Sequence, residues 1–345
     1  MKRSLAVLAF VVFLVAGCGG GGDDNGSASG TTTSGSSSSG KKVGLVTDIG
    51  GLNDRGFNHL SYLGLQRAQS ELGIQQRVFQ AHSTQEYVPN LSTFARQKYD
   101  LTIGVGFTEA QAIDTAATNF PNSNFAIVDV DATEEQHKPK NLLGLLFKEQ
   151  ETGYLVGYLA ALVEKARPGP DVIASVGGQK QPPVDRFIAG YQAGAKAADP
   201  GIKLLNSYSE DFADQAKCKQ VALNQIEQGA GVVFQVAGGC GLGALDAAKE
   251  KGVWGIGVDA DQSFLGPHIL TSAVKRVDTA VFLAIKSVVD GNFKGGTNMT
   301  FGLKENGVGV GKISAKVPSA DVKKLNQIRA DIISGKISDI PTEVK

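Results

Sequence analysis

Short apolar runs alternate with amphipathic stretches along almost the whole chain. Runs at 43–48, 77–81, 101–106, 124–131 and 142–147 are bounded by Gly, Asn, Asp or Pro, the pattern of buried strands. Between them, 57–72, 87–97 and 109–119 carry apolar residues at helical spacing. A helical stretch at 152–166 is ended by Pro168-Gly169-Pro170, and a second round begins. Its strands fall at 172–178, 202–208, 232–237, 254–259 and 269–274, and its helices at 184–198, 214–228, 242–251 and 277–289. A glycine-rich, strand-like run at 298–311 and a helix at 322–334 follow. Strand and helix in strict alternation imply an α/β fold with parallel sheets covered on both faces. Two rounds imply two doubly wound lobes, the first formed by 41–147 with about 276–312 returning to it, the second by 148–275. Residues 313–345 remain as a C-terminal helix and tail, and several strands between the lobes form a multi-strand hinge.

The first residues depart from this rhythm. Lys2-Arg3 followed by an apolar run from Leu5 to Val15 is an export signal, shorter than a membrane span. It ends in Val15-Ala16-Gly17-Cys18, similar to a bacterial lipobox, so 1–17 is expected to be removed and Cys18 lipidated. Residues 19–40 are almost entirely Gly, Ser, Thr, Asp and Asn, which cannot bury apolar surface. A tether of this composition reaches about 25 Å root-mean-square. The expected location is extracytoplasmic, anchored to the cell membrane by lipid without crossing it. With 34 basic and 34 acidic residues among 345, nothing attracts nucleic acid electrostatically.

In open α/β sheets ligands sit outside the carboxyl ends of the strands, and the polar loops cluster there. Asp48 to Asn58 packs two carboxylates, two carboxamides and one ring, Phe57, among glycines. This suits a small polar ligand with a flat face, and equally an Asx-rich turn capping the next helix. Further candidates are Phe107-Thr108, Asp129 and Asp131, Gly177 to Phe187, Gly238 to Gly243, and Asp259 to Gln262.

Enzyme motifs fit poorly. No H-E-x-x-H or G-x-S-x-G occurs, the four histidines lack metal-ligand spacing, and Gly311-Lys312-Ile313 is not a P-loop. Gly239 to Ala244 does match a dinucleotide fingerprint, with Asp259 twenty residues on. It lies in mid-chain, however, in an exported protein. Neither catalysis, a metal nor a cofactor is expected. In a βαβ layout Cys218 and Cys240 fall at the same sheet edge. They are expected either as a disulfide or as two free buried thiols.

Six separated motifs, in order, carry a resemblance. They are T-D-I-G-G-L-N-D-R-G-F-N from Thr47, F-K-E-Q-E-T-G-Y-L-V-G-Y-L-A-A from Phe147, G-G-Q-K-Q-P-P-V-D-R-F-I-A-G-Y-Q-A-G from Gly177, F-Q-V-A-G-G-C-G from Phe234, G-V-D-A-D-Q from Gly257 and T-S-A-V-K-R-V-D from Thr271. Together they resemble the BMP family of basic membrane lipoproteins, similar to purine nucleoside receptor lipoproteins. The resemblance implies a type I periplasmic-binding-protein fold and the substrate-binding role of an ABC importer, capturing a nucleoside and handing it to a permease with its ATPase. It further implies that Asp48, Asn53 and Asp54 contact the base and Phe57 stacks on it, with Asp129 close by. Phe187 and Phe234 are rivals for a second stacking ring. Asp259 is assigned to ribose hydroxyls, Lys275 to a ribose oxygen, and Gly238-Gly239 to the floor. Both cysteines depart from the family's usual residues, which favours their pairing. A monomer is expected. Surface sensing of another small metabolite or a sugar needs the same cleft, and a dinucleotide-dependent enzyme stays as a remote alternative.

Overall fold

The computed structural model describes residues 40–345. The signal segment, Cys18 and nearly all of the tether lie outside the described residues.

Two six-stranded sheets organise the chain. The first contains β1 (Lys42–Thr47), β2 (Gln75–Gln80), β3 (Leu101–Val105), β4 (Phe125–Val128) and β5 (Leu142–Phe147). The second contains β6 (Val172–Gly177), β7 (Lys203–Tyr208), β8 (Val232–Val236), β9 (Trp254–Asp259) and β10 (Ile269–Lys275). Each is completed by a late strand, β11 (Thr297–Phe301) beside β5 and β12 (Val308–Val310) beside β10, giving the orders β11-β5-β4-β3-β1-β2 and β12-β10-β9-β8-β6-β7. All pairings are parallel except β10 with β12. The central strands β3, β4 and β8 are buried at every position, whereas the edge strands β2 and β7 are not. Helices on both faces account for the difference, since an inner strand of a doubly wound sheet has no solvent side.

Around the first sheet run α1 (Phe57–Leu72), α2 (Tyr87–Arg96), α3 (Ala110–Asn119) and α8 (Val277–Val289). Around the second run α4 (Glu149–Lys165), α5 (Pro182–Ala198), α6 (Gln215–Glu227) and α7 (Gly241–Lys251), with α9 (Ser319–Ile333) against α4. The chain crosses between sheets three times, after β5, after β10 and after β11. Backbone bonds from Lys148 N to Phe301 O (3.0 Å) and from Arg276 N to Gly307 O (2.8 Å) tie the crossings together. The strand-like run at 298–311 is therefore two strands. A polar turn, Gly302 to Gly307, separates them, and β12 belongs to the second sheet, where the expected return of 276–312 had put it in the first lobe.

A close helix pair fixes the second lobe. α4 carries Gly153 and Gly157, and α5 carries Gly190 and Gly194. A Cβ at any of them would overlap backbone of the facing helix: Phe187 and Tyr191 carbonyls for the first two, Gln150 and Tyr154 carbonyls for the others. Glycine at i and i+4 on both partners lets the axes approach closely, as small residues do in tightly packed helix pairs.

A buried charge cluster joins the crossings to the first sheet. Lys275, the last residue of β10, donates to Asp129 Oδ2 at 2.7 Å and to Glu149 Oε1 at 2.9 Å. Glu149 also accepts from Arg186 Nε at 2.6 Å. Lys275 comes from the second sheet and Asp129 from the end of β4 in the first.

Two outcomes test these contacts. Gly157→Ala should destabilise the protein by about 1–3 kcal/mol in urea unfolding, because overpacking outweighs the gain in helix propensity. An unchanged midpoint would show that the helices part freely. Lys275→Met should cost about 3–5 kcal/mol by leaving buried carboxylates unbalanced. A loss below about 1 kcal/mol in the same assay would contradict that role.

Candidate functional site

The carboxyl ends of the two sheets face one another across a cavity lined by residues of both.

On the first lobe the turn after β1 is built from carboxylates answered by N–H groups. Asp48 Oδ1 accepts from Gly50 N and from Asn58 Nδ2, each at 2.7 Å. Burial pushes its carboxyl up to about 6 against those two donors. A Cβ at Gly106 (φ +105) would sit 3.1 Å from the Phe57 ring and 3.4 Å from Asp48 Oδ2, so glycine keeps this wall thin. Asp54 is differently employed. Its Oδ1 accepts from Gly56 N and His59 N, and its Oδ2 from Asn58 N and Nδ2. It lines the cavity, yet its carboxylate caps the start of α1. The capping and binding alternatives for this loop thus divide between two residues, Asp54 taking the cap and Asp48 turning an oxygen toward the cavity. Asn53 is exposed and lines a separate surface groove with Arg55, because the chain turns Asp54 inward between them.

Asp129 follows β4 and Asp259 ends β9, at matching places in the two sheets. Both hold left-handed backbone, φ 70° and 61°, which few residues other than glycine adopt readily. Such strain persists where the surrounding fold enforces it and clusters at functional sites. Burial raises the Asp129 carboxyl despite Lys275 beside it. For Glu149 burial opposes the charge, but Lys275 and Arg186 outweigh it and hold the carboxyl below its usual range. Burial likewise disfavours the Lys275 charge, and Asp129, Glu149 and Asp259 more than restore it. Rings complete the cage, with Lys275 Nζ 5.2 Å from the Phe57 centroid, 4.8 Å from Phe147 and 5.7 Å from Phe187. Two of the three ammonium donors go to carboxylates, which leaves one for the cavity.

Asp259 accepts no hydrogen bond from a described residue. It is only 6% exposed, and burial pushes it up to about 7, with Lys275 opposing. Buried acceptors are normally paired, so this carboxylate is poised for a donor brought in from outside.

The second lobe supplies Phe187, Gly238, Gly239, Val236, Val258 and Phe212. Phe234 does not reach the cavity. It is fully buried in β8, with Tyr191 at 5.0 Å and Phe187 edge-on at 6.3 Å, because the inner strand packs helices on that face. Phe212, on the loop after β7, escaped the sequence reading. So did Glu109, fully buried behind the cavity with its carboxyl pushed well above the usual range by burial, whereas Asn58, a carboxamide of the first polar loop, bridges Asp48 and Asp54. The available signal for Phe212 was a single aromatic residue in a polar turn immediately past a strand's carboxyl end.

The dinucleotide-like glycines serve packing. A Cβ on Gly241 would overlap the Gln235 side chain, and one on Gly243 the Gln215 carbonyl. The preceding Cys240 is joined to Cys218 by a disulfide, Cα atoms 5.5 Å apart. The start of α7 is therefore covered by the 209–215 segment and offers no open cradle for a pyrophosphate. Among the described residues no group of His, Cys, Asp and Glu has the arrangement of a metal site, and no helix is long and apolar enough to cross a membrane.

Comparison with known proteins agrees with this architecture. Residues 41–342 match the Bmp family model, described as ABC transporter substrate-binding protein PnrA-like. The ABC transporter nucleoside-binding protein BmpA of Lactococcus lactis is 36% identical over 86% of this chain and 88% of its own. An uncharacterized lipoprotein of Pyrococcus horikoshii is 35% identical over 88% and 80%. Among solved structures, an ABC transporter solute-binding protein of Aeropyrum pernix superposes with a TM-score of 0.79 at 28% identity, covering 87% of this chain and 94% of that one. The fold is the type I periplasmic-binding-protein fold, and the chain belongs to the Bmp family of ABC transporter substrate-binding proteins.

Proposed function

We infer that the cavity captures a nucleoside, with purine nucleosides foremost, and that the lobes close on it about the three crossings. The closed form then passes the nucleoside to a membrane permease driven by its ATPase, while Cys18 carries the lipid that keeps the protein at the outer face of the membrane. The observation that carries this reading is the pairing of flat and polar walls. Phe57 from one lobe and Phe212 from the other offer rings to a planar base, and the unpaired Asp259 carboxylate offers an acceptor to a sugar diol. Asp48 faces the same space and suits ring N–H donors, and the third Lys275 donor suits a sugar oxygen. Asp129 acts through Lys275 and Glu149 balances it. Phe187 backs the Lys275 ammonium, and Gly238-Gly239 let the ligand approach the backbone. The nucleoside-binding description of the Lactococcus lactis relative and the lipoprotein description of the Pyrococcus horikoshii relative support the ligand class and the anchor.

Calorimetric titration with inosine, guanosine, adenosine, uridine, cytidine, ribose and glucose tests the assignment. Purine nucleosides should bind most tightly, and folded protein that binds no nucleoside would sink it. Phe57→Ala and Phe212→Ala should each lose about 1–3 kcal/mol, the usual range for base–aromatic stacking. Asp259→Ala should lose about 1.5–3 kcal/mol, as for hydrogen bonds to a charged group. Unchanged affinity in all three would place the ligand elsewhere.

The pH dependence follows from Asp48 and Asp259, raised to about 6 and about 7. A ligand that donates hydrogen bonds favours the ionised carboxylates and so lowers their pKa on binding. Binding should therefore release protons near neutral pH, and affinity should rise from pH 6 to pH 8. Calorimetry in buffers of different ionisation enthalpy measures the release, and Asp259→Asn should flatten most of the upper part of the profile. Proton uptake on binding would reverse the assigned roles.

A further inference from the structure

We propose that the Cys218–Cys240 disulfide positions the second lobe's ligand-facing ring, Phe212, so that its integrity sets ligand affinity and not merely fold stability. This rests on the reading of the cavity as a nucleoside site.

In the loop between β7 and α6, Glu210, Ala213 and Asp214 are exposed, and Phe212 is the apolar anchor, packed against the core beside Gly178. The loop is stiff within itself. Asp211 Oδ1 accepts from Ala213 N at 2.8 Å and Asp214 N at 2.9 Å, and Asp211 Oδ2 pairs with Lys217 at 2.7 Å. A turn that is rigid internally moves as a unit, so whatever fixes its ends fixes the ring.

The downstream end is tied to the disulfide, and the upstream end meets both the disulfide and the end of β6, where Ser209 N and Glu210 N donate to Gly177 O and Gly178 O at 2.8 and 3.0 Å. At Phe212 itself, the backbone oxygen accepts from Cys240 N at 2.9 Å. Downstream, Cys218 lies in the opening turns of α6 and is bonded to the same Cys240. Upstream, the Ser209 hydroxyl lies 3.4 and 3.5 Å from the two sulfurs. Both cysteines are fully buried. Cys240 directly follows Gly238-Gly239, and a Cβ on either glycine would stand 3.4 Å from Phe212 O. One covalent link thus sets the cavity floor and the ring above it in a single register. Breaking it leaves the turn intact and releases its downstream end, with the cost falling on whatever the ring contacts.

Inosine titrations of the full chain test this with a double-mutant cycle: wild type, Cys218→Ala/Cys240→Ala, Phe212→Ala, and all three together. Loss of the disulfide should weaken inosine at least tenfold, mainly through faster dissociation. Once Phe212 is gone, removing the cysteines should change affinity less than twofold. Affinity within twofold of wild type without the disulfide, or equal losses in both backgrounds, would reduce the bond to a staple and overturn the proposal. If the double variant does not fold, oxidised and reduced wild type replace it in the same comparison, each with and without Phe212→Ala. Hydrogen exchange without ligand separates this proposal from the nucleoside reading. The Cys240 amide, bonded to Phe212 O, and its neighbours at 241–243 at the start of α7 should exchange at least tenfold faster on reduction while those of β1 and α1 hold, whatever the ligand proves to be. No change, or an equal change throughout, would overturn the positioning role. So would peptide mapping after alkylation that finds either cysteine free in the native protein.

Discussion

The cleft depends on one buried cation. Lys275 stands where the chain leaves the second sheet, holds carboxylates that belong to β4 and to the start of α4, and is surrounded by three phenylalanine rings. Its own burial opposes its charge, so the surrounding acids and the lysine are mutually required. Removing either side would leave a charge stranded in a low-dielectric interior, which is costlier than the pair itself. The cluster also sets the electrostatic character of the cavity. Lys275 and Arg186 offset Asp129 and Glu149, whereas Asp48 and Asp259 keep carboxyls whose raised pKa values place them close to titration near neutrality. A site so arranged accommodates a neutral ligand rich in hydrogen-bond donors better than an anion.

The two lobes reach this arrangement by parallel routes. In each, an inner parallel strand ends in Asp-x-Asp, and the first aspartate adopts left-handed backbone at the cavity. The second aspartate is used for structure. Asp131 accepts from Asn298 of β11 at 2.6 Å, and Asp261 accepts from Lys312 N just past β12 at 3.1 Å. The late strand of each sheet is therefore anchored beside a cavity carboxylate, and the three crossings are held in register with the site.

Much of this was legible in the sequence because doubly wound sheets announce themselves through apolar runs, and the rule that ligands sit at strand carboxyl ends then located Asp48, Asp129 and Asp259. What escaped did so for physical reasons. Phe234 lies on a strand buried on both faces, where no alternation tells cavity from core. Asn53 and Asp54 are adjacent, and only the path of the turn decides that one faces solvent and the other caps α1. Phe212 sits in a polar turn without periodicity, placed by contacts to Cys240 far along the chain. Glu109 resembles an ordinary helix-start acid until the sheet closes over it. The run at 298–311 reads as continuous because its break, Gly302 to Gly307, is a short turn between two strands. They part only when each joins a different sheet.

A high-resolution crystal structure with inosine bound tests the central claim most directly. The account predicts the base between Phe57 and Phe212, sugar hydroxyls within hydrogen-bond distance of Asp259, and Lys275 still paired with Asp129 and Glu149 while its third donor meets a sugar oxygen. A base lying away from both rings, or a Lys275 drawn off its carboxylates, would contradict it.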